Sequence, residues 1–249
     1  MAVDYETLRD SALNDLKKYM DSIDPSRGKK LAYWIKDYSR FLSQESSFQS
    51  DKLIRYKRGA VVKVHLGYRI GSEEGGLHYA IVMDRNNSIH NPTLTVIPLT
   101  SIKPGVDLTK LPPAKVPIGA EIYTLLSTNL NAEIKSAKQQ LAKIKELHAK
   151  LKEESAASSI AEAAGMLDAF DAELDALNKQ IEYCNRMKGE VDRMKIGSIA
   201  LVGQITTVSK IRVYDPKYKN DALSKIRVSA STLDILDQRV QELYGAPTK

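Results

Sequence analysis

The pattern of hydrophobic residues changes twice along this chain of 249 residues, and these changes restrict its possible folds. From Tyr56 apolar and polar residues alternate, which is typical of β-strands. From Thr128 to Val191 apolar residues recur every three or four positions, which is typical of helices. Alternation returns at Ser198. We therefore expect one β-rich unit that a long helical segment divides.

The helical segment consists of two arms on either side of the sequence ESAASSIAEAAG. The apolar stripe of the first arm is formed by Ile134, Ala137, Leu141, Ile144, His148 and Leu151. That of the second arm is formed by Leu167, Phe170, Leu174, Leu177, Ile181, Cys184 and Val191. The first arm is rich in lysine and the second begins with acidic residues, so the arms attract each other. We predict an antiparallel coiled-coil hairpin over residues 128–195.

The β-rich part contains several stretches with strand patterns. Before the helical segment these are AVVKVHLG, HYAIVMD and TLTVIPLT, and after it GSIALVGQITTVSKIRV. Pro98 lies inside the third stretch and cannot donate to a strand ladder, so an edge position or a bulge is expected there. The stretch PGVDLTKLPPAKVPIG is predicted to be a loop, and EIYTLL to be a further short strand.

Helices are predicted at both ends of the chain. Asp4 is a typical N-cap for a first helix, the sequence DPSRG ends that helix, and a second carries an aromatic stripe. The stripe consists of Trp34, Ile35, Tyr38, Phe41 and Leu42. A last helix, SASTLDILDQRVQELYG, begins at a serine or threonine cap and ends at Gly245. The predicted fold class is α+β, with the strands in one small barrel or curled sheet.

Composition narrows the class of protein. A single cysteine, Cys184, excludes a disulfide framework and fits a reducing compartment. The amino terminus lacks a signal-peptide pattern, and no apolar run reaches the length of a membrane span. We expect a soluble cytoplasmic protein without a membrane partner. The net charge of +6 and the pI of about 9.1 permit binding to RNA without establishing it.

Three stretches in this order resemble the PemK/MazF family of toxin endoribonucleases. They are YKRGAVVKVHLGYRIGSEEGGLHYAIVMD, NPTLTVIPLTS and IALVGQITTVSKIRV, and a terminal helix follows as in the family. The resemblance covers residues 56–101 and 198–244, about half of the chain. It implies a small SH3-like, PemK-type barrel with a C-terminal helix.

The resemblance also implies an activity and partners. Family members are metal-independent endoribonucleases that form homodimers, cleave single-stranded RNA in a groove and are silenced by a cognate antitoxin of a type II system. No cofactor is implied. We divide the chain into a helical extension (1–55), a first part of the barrel (56–127), the hairpin insertion (128–195) and a second part with the C-terminal helix (196–249).

The chain departs from the family pattern at informative positions. Where the family has its catalytic arginine, in G-G-x-R-P, this chain has His78. The aspartate of the family sequence R-G-D is Ala60, and Q-I-R-T is replaced by Gln204-Ile205-Thr206-Thr207. The family threonine at the end of the third strand is kept as Thr100. Two of the usual cations are therefore missing.

Cleavage of RNA without a metal needs a base, an acid and donors to the charged phosphorane. Histidine exchanges protons near neutral pH, so His78 is a catalytic candidate together with Thr100, whose hydroxyl can donate to the phosphate. The candidates for RNA binding are Arg69, Ser72, Glu73, Ser101 and Gln204. Glu73 is a candidate for a base or for a residue that anchors the loop. Gly71, Gly75 and Gly76 predict a mobile loop that covers a groove.

Several alternatives remain open from the sequence. His78 can have a purely structural role at the start of a strand, and Arg69 can be a solvated loop charge. Gln204 can contact a base edge or bond within the sheet. The whole barrel can have lost catalysis and act as a nucleic-acid-binding or protein-binding module. The N-terminal helices and the hairpin can also form a built-in antitoxin that occupies the groove.

Overall fold

A computed structural model describes residues 4–154 and 160–246, and it has the predicted α+β composition with an antiparallel sheet. The helices are α1 (Tyr5–Ser22), α2 (Pro25–Gln44), α3 (Glu121–Glu154), α4 (Ile160–Arg193) and α5 (Ala230–Tyr244). The strands are β1 (Val61–His65), β2 (Leu77–Val82), β3 (Thr93–Ser101), β4 (Lys115–Gly119), β5 (Ser198–Leu201), β6 (Thr206–Ser209) and β7 (Val213–Asp215).

Local capping interactions set the starts of three helices. The carboxylate of Asp4 accepts from the backbone N–H of Thr7 at the start of α1. Asp24 caps α2 in the same way, and the Ser229 hydroxyl accepts from the backbone N–H of Thr232 at the start of α5. Each cap satisfies an amide that has no partner within its helix. The predicted starts of the first and last helices are confirmed.

The sheet runs in the order β4-β5-β3-β2-β1-β7, and β6 also pairs with β3. Strands β5 and β6 lie end to end along β3, with a 3₁₀ turn (Val202–Gln204) between them. Within the described residues the strand pairing does not join β4 to β7. The sheet is therefore strongly bent around β3 but not closed, and the predicted barrel remains a prediction.

Three details of the strand prediction need correction. Pro98 is not at an edge, because β3 is flanked on both sides; it lies between Val96, which pairs with β6, and Leu99, which pairs with β5. The predicted loop KVPIG is β4, and the predicted strand EIYTLL is the start of α3. A short apolar run is compatible with either period, and tertiary packing decided this one: Ile122 and Leu126 are buried one helical turn apart.

Both faces of the sheet are covered. Val62, Val64 and Val96 belong to one buried cluster, whereas Val61 and Ile81 pack with α3 and α5 on the other face. The alternation of Val62 and Val64 with Lys63 and His65 predicts one buried face for β1, which is wrong at Val61, whose side chain is fully buried on the other face. Helices α3 and α5 therefore cover the face of the sheet opposite the cluster that contains Val62, Val64 and Val96.

Helices α3 and α4 pack along each other in opposite directions. The amide of Gln180 donates to the Glu133 carbonyl, and the rings of His148 and Phe170 are 6.1 Å apart further along the pair. The first helix begins at Glu121 rather than at residue 128. Residues 155–159 of the predicted connection lie outside the described residues, and the coiled-coil geometry remains a prediction.

Candidate functional site

The glycine-rich loop between β1 and β2 is closed at its base by main-chain hydrogen bonds. The N–H of Leu66 donates to the carbonyl of Gly76, and the N–H of Gly76 donates to the carbonyl of Gly67, both at 2.7 Å. Gly67 and Gly76 have φ values of +94° and +89°, which residues with a Cβ rarely adopt. The loop is thus a defined turn rather than an open excursion.

His78 lies at the start of β2 with both ring nitrogens engaged. Nδ1 is 3.1 Å from the carbonyl oxygen of Leu99, and Nε2 is 3.0 Å from Oε1 of Glu74. A carbonyl only accepts hydrogen bonds, so Nδ1 carries a proton and donates it. An ionised carboxylate also only accepts, so Nε2 bonds to it as a donor when the ring is an imidazolium.

The sheet register brings Thr100 toward His78. Ala80 is the first residue of β2 that pairs with β3, at Pro98, and His78 and Thr100 each lie two residues beyond this pair along their strands. The bond from His78 Nδ1 to the carbonyl of Leu99 joins the two strands next to Thr100. The two residues predicted to be catalytic therefore lie close to each other.

Gln204 fixes the glycine-rich loop from the 3₁₀ turn. Its Oε1 accepts from the backbone N–H of Glu74 at 2.5 Å, and its Nε2 donates to the carbonyl of Ser72 at 3.2 Å. The amide thus bonds to the glycine-rich loop and not within the sheet, and its contact with a base edge stays a prediction. The side chain of Gln204 thus holds in place Glu74, the residue that contacts Nε2 of His78.

Two neighbouring grooves lie on either side of this clamp. The first, here called the loop groove, has a volume of about 440 Å³. It is lined by Leu66, Arg69, Ser72, Glu73, Glu74, Pro98, Gly203, Gln204, Ile205 and Thr206. The second, the threonine groove, has a volume of about 280 Å³. It is lined by Ser72, Glu74, Thr100, Ser101, Lys103, Val106, Leu111, Lys115, Ile199, Leu201 and Gln204.

Six of the seven predicted site residues line these two grooves. Thr100 and Ser101 line the threonine groove, Arg69 and Glu73 line the loop groove, and Ser72 and Gln204 line both. His78 lines neither; its side chain is 27% exposed and contacts Glu74, which lines both grooves. Glu74 therefore links the imidazole to the two grooves.

Arg69 is partly held by its own loop. Its Nε donates to the Leu66 carbonyl at 2.9 Å, and Nη1 is 3.7 Å from the Glu73 carboxylate. Burial lowers the pKa of the nearby Arg212 guanidinium, and the charge of Arg69 lowers it further. The Glu73 contact is long and exposed, so Arg69 keeps a positive charge on the loop groove.

Sequence reasoning missed three residues of this site. Glu74 was passed over in favour of its neighbour Glu73, although it is the residue that contacts His78. Lys103 and Lys115 line the threonine groove beside Thr100 and supply positive charge where the family cations are absent. The basic composition was the only sequence signal for them. The placement of Lys115 depends on how β4 pairs with β5, whereas Lys103 follows the end of β3.

Comparison with protein families supports the resemblance noted in the sequence. Residues 57–157 match the family described as PemK-like, MazF-like toxin of type II toxin-antitoxin system. The chain contains a PemK/MazF-type toxin domain. The match includes the glycine-rich loop, His78 and Thr100, whereas the resembling stretch 198–244 lies outside it. No curated protein matches the chain.

Toxins of the PemK/MazF family are generally endoribonucleases that act with an antitoxin partner, and the family recognition from sequence is confirmed. In the described ranges 4–154 and 160–246, no group of three or more His, Cys, Asp or Glu side chains is arranged to hold a metal ion. In the same ranges, no helix combines the length and the apolar character that crossing a membrane requires.

Proposed function

We propose that this protein is the toxin of a type II toxin-antitoxin system and cleaves single-stranded RNA without a metal ion. The observation that supports this most is the contact between His78 Nε2 and Glu74, on a ring whose Nδ1 bonds to Leu99, the residue before Thr100. It puts a proton-exchanging pair at the position where the family has an arginine. The neighbouring grooves offer room for a nucleic-acid strand.

The pair can perform both proton transfers of the reaction. The 2′-oxygen attacks phosphorus, the bond to the 5′-oxygen breaks, and a 2′,3′-cyclic phosphate forms. Glu74, which lines both grooves, accepts the proton of the 2′-hydroxyl and passes it across the 3.0 Å contact to Nε2 of a neutral His78 ring. The imidazolium then returns a proton through Glu74 to the departing 5′-oxygen, which restores the pair.

Hydroxyl and ammonium groups stabilise the phosphorane in this proposal. Thr100 and Ser101 donate from the strand end, and Lys103 and Lys115 supply charge from the same groove. Arg69 contributes charge from the loop groove. Together these cations replace the two family arginines that the chain lacks.

The finer predictions about architecture and assembly belong to the same proposal. We expect an SH3-like closure of the bent sheet, coiled-coil packing of α3 with α4, and a homodimer that a cognate antitoxin silences. The division into residues 1–55, 56–127, 128–195 and 196–249 also remains our proposal, as does a cytoplasmic location. The packing of α3 and α4 in opposite directions supports the hairpin.

The experiment is an RNA-cleavage assay with purified protein, a long single-stranded RNA and a chelator. We expect the wild type to cleave and the variants H78A and T100A to lose about 10²- to 10⁴-fold in rate, the range of a general acid or base. H90A and T207A are matched controls, because His90 and Thr207 are exposed and outside both grooves. Equal rates for wild type and H78A would refute the mechanism.

A second function is a catalytically inactive barrel that binds nucleic acid or protein. It is favoured by the position of His78, which lines neither groove and has both nitrogens occupied. Expression alone distinguishes the two functions, since an active toxin arrests growth and a binding module does not. If H78R created activity in a protein that has none, the binding module would be the better account.

A further inference from the structure

A third groove, of about 790 Å³, lies between helix α2 and the glycine-rich loop. On the helix side it is lined by Asp24, Ser26, Arg27, Lys30, Tyr33 and Trp34. His65 and loop residues, including Tyr68 and Arg69, form the opposite wall. We call it the extension groove, because α2 belongs to the N-terminal extension that has no counterpart in a minimal family member.

Specific contacts hold α2 against the loop and so fix the shape of this groove. Trp34 stacks on His65 with ring centroids 4.7 Å apart, and Arg27 Nε donates to the hydroxyl of Tyr68 at 2.9 Å. Gly67 leaves no free space, since a Cβ there would lie 3.2 Å from the Trp34 ring. Burial lowers the pKa of His65, whose Nδ1 accepts from the backbone N–H of Gly67.

The walls of the extension groove carry cations next to an exposed aromatic ring. Arg27 and Lys30 are exposed, and Tyr33 is 60% exposed, with Lys29 Nζ 6.0 Å from its ring centroid. One face of a tyrosine and two flexible cations are what single-stranded nucleic acid needs for base stacking and phosphate pairing.

Two carboxylates, Asp24 and Glu73, also line the groove and offset part of its positive charge. Asp24 accepts hydrogen bonds from Ser26 and the backbone N–H of Arg27, and these bonds lower the pKa of its carboxyl. Its charge therefore serves the start of α2. Glu73 lies near Arg69. Three cations against two engaged carboxylates leave a positive excess.

The extension groove continues into the candidate site. Arg69 and Glu73 line both the extension groove and the loop groove, and Ser72 and Glu74 link the loop groove to the threonine groove. A strand that passes over Thr100 and Glu74 thus reaches Arg69 and then Tyr33 without leaving a groove. Cations stand at both ends of this path, Lys103 and Lys115 at one and Arg27 and Lys30 at the other.

We propose that the extension groove binds nucleotides of the single-stranded RNA substrate that flank the cleaved bond, with one base stacked on Tyr33 and phosphates paired with Lys30 and Arg27. This inference rests on the proposed ribonuclease function and adds a subsite to it. It assigns the N-terminal extension to substrate binding rather than to blocking the groove.

The test uses the full-length protein and fluorescent 2′-O-methyl RNAs, which cannot undergo attack by the 2′-oxygen. Binding of a 12-nucleotide and a 4-nucleotide RNA is measured by anisotropy for the wild type, Y33A and K30A. We expect Y33A to bind the longer RNA about 5- to 100-fold more weakly, the range for stacking of one base, and to bind the shorter RNA unchanged. For K30A the salt dependence of binding should fall by about 0.7 in slope.

Matched variants and a second ligand sharpen the outcome. K36A removes an exposed lysine of the same helix outside the groove, and Y5A removes an exposed tyrosine of α1; both should bind like the wild type. Thermal melts confirm that each variant is folded. Unchanged binding of the longer RNA by both Y33A and K30A overturns the proposal. It is also overturned if these variants lose binding only to an acidic antitoxin peptide and not to the RNA.

The two proposals fail in different ways. If the wild type cleaves no RNA but binds the longer RNA through Tyr33, the ribonuclease function is wrong and the extension groove stands as an RNA-binding site. If the wild type cleaves RNA, and Y33A and K30A both bind the longer RNA as tightly as the wild type, the groove inference is wrong and the ribonuclease function stands.

Discussion

Nε2 of His78 lies 3.0 Å from Oε1 of Glu74, while Nδ1 of the same ring donates to the carbonyl of Leu99. The ring is thereby fixed in orientation, and a carboxylate that faces two grooves can exchange a proton with it. In our proposal this pair replaces an arginine that carries a permanent charge. In the same proposal the positive charge near the grooves comes from Arg69, Lys103 and Lys115.

The first prediction concerns Glu74 as the base. E74Q keeps the shape of the side chain but cannot accept the proton of the 2′-hydroxyl. We expect kcat to fall about 10²- to 10⁴-fold with KM changed little, because the interaction is needed only in the transition state. The measurement is steady-state cleavage of a labelled RNA. E182Q, on the exposed surface of α4, is the control. A rise in KM with kcat unchanged would assign Glu74 to substrate binding instead.

The second prediction concerns the clamp formed by Gln204. Q204A removes both the acceptor for the Glu74 N–H and the donor to the Ser72 carbonyl. We expect faster hydrogen exchange over residues 72–74 and a lower cleavage rate, since the partner of His78 is no longer held. Exchange is followed by mass spectrometry at the peptide level.

The control for this clamp is Q238A, which removes an exposed glutamine that bonds only within α5 in the described part of the chain. It should leave exchange of the loop unchanged. Wild-type exchange at residues 72–74 in Q204A would show that the main-chain bonds at the loop base hold it alone.

The third prediction concerns the anchor of α4 on the sheet. Glu190 is 4% exposed and accepts from Lys63 Nζ at 3.0 Å and from the hydroxyl of Tyr79 at 2.6 Å. Burial opposes its ionisation, yet the bonds from Tyr79, Lys63 and Arg193 lower the pKa of its carboxyl. We expect E190A to lower the free energy of unfolding by about 3 to 5 kcal/mol, because it leaves a buried ammonium without its partner.

Urea unfolding measures this loss, and a double variant separates its causes. In K63M/E190L both charges are replaced by apolar groups, so most of the lost stability should return. If the double variant were as unstable as E190A, the loss would come from the tyrosine bond or from packing and not from the unpaired charge.

The fourth prediction is a pH dependence at Asp215. Burial raises the pKa of Asp215 to about 6, against an ordinary value of 3.8, although the Leu223 N–H donates to it. Between these values the unfolded chain releases a proton that the folded chain keeps, so this carboxyl lowers stability as pH rises through that window. D215N should therefore be more stable than wild type at pH 7.5 by about 1 to 2 kcal/mol, allowing for partial solvent screening.

Urea titrations at pH 4, 5, 6 and 7.5 test the sign. The advantage of D215N should be smallest at pH 4 and should grow up to about pH 6 to 7. An advantage that is constant with pH would mean that the substitution acts through packing rather than through ionisation. D168N provides a charge-matched control, because Asp168 is an exposed aspartate of α4.

Interactions between near neighbours made much of the architecture predictable. The caps at Asp4 and Ser229, the two antiparallel arms and the three strands before them follow from periodicity and local hydrogen bonds. The prediction failed where a short run fits two periods, as in EIYTLL, whose isoleucine and leucine became helical because they face the core one turn apart.

The sequence by itself determined the order of most elements, the family motifs and six of the residues that line the two grooves, because these depend on residue type and on spacing along the chain. Tertiary structure alone decided which carboxylate meets His78, that Glu190 pairs with Lys63 across 127 positions, and that α2 forms a wall beside the glycine-rich loop. Such contacts join segments far apart in sequence, and their distances exist only after the sheet has bent and the helices have packed against it.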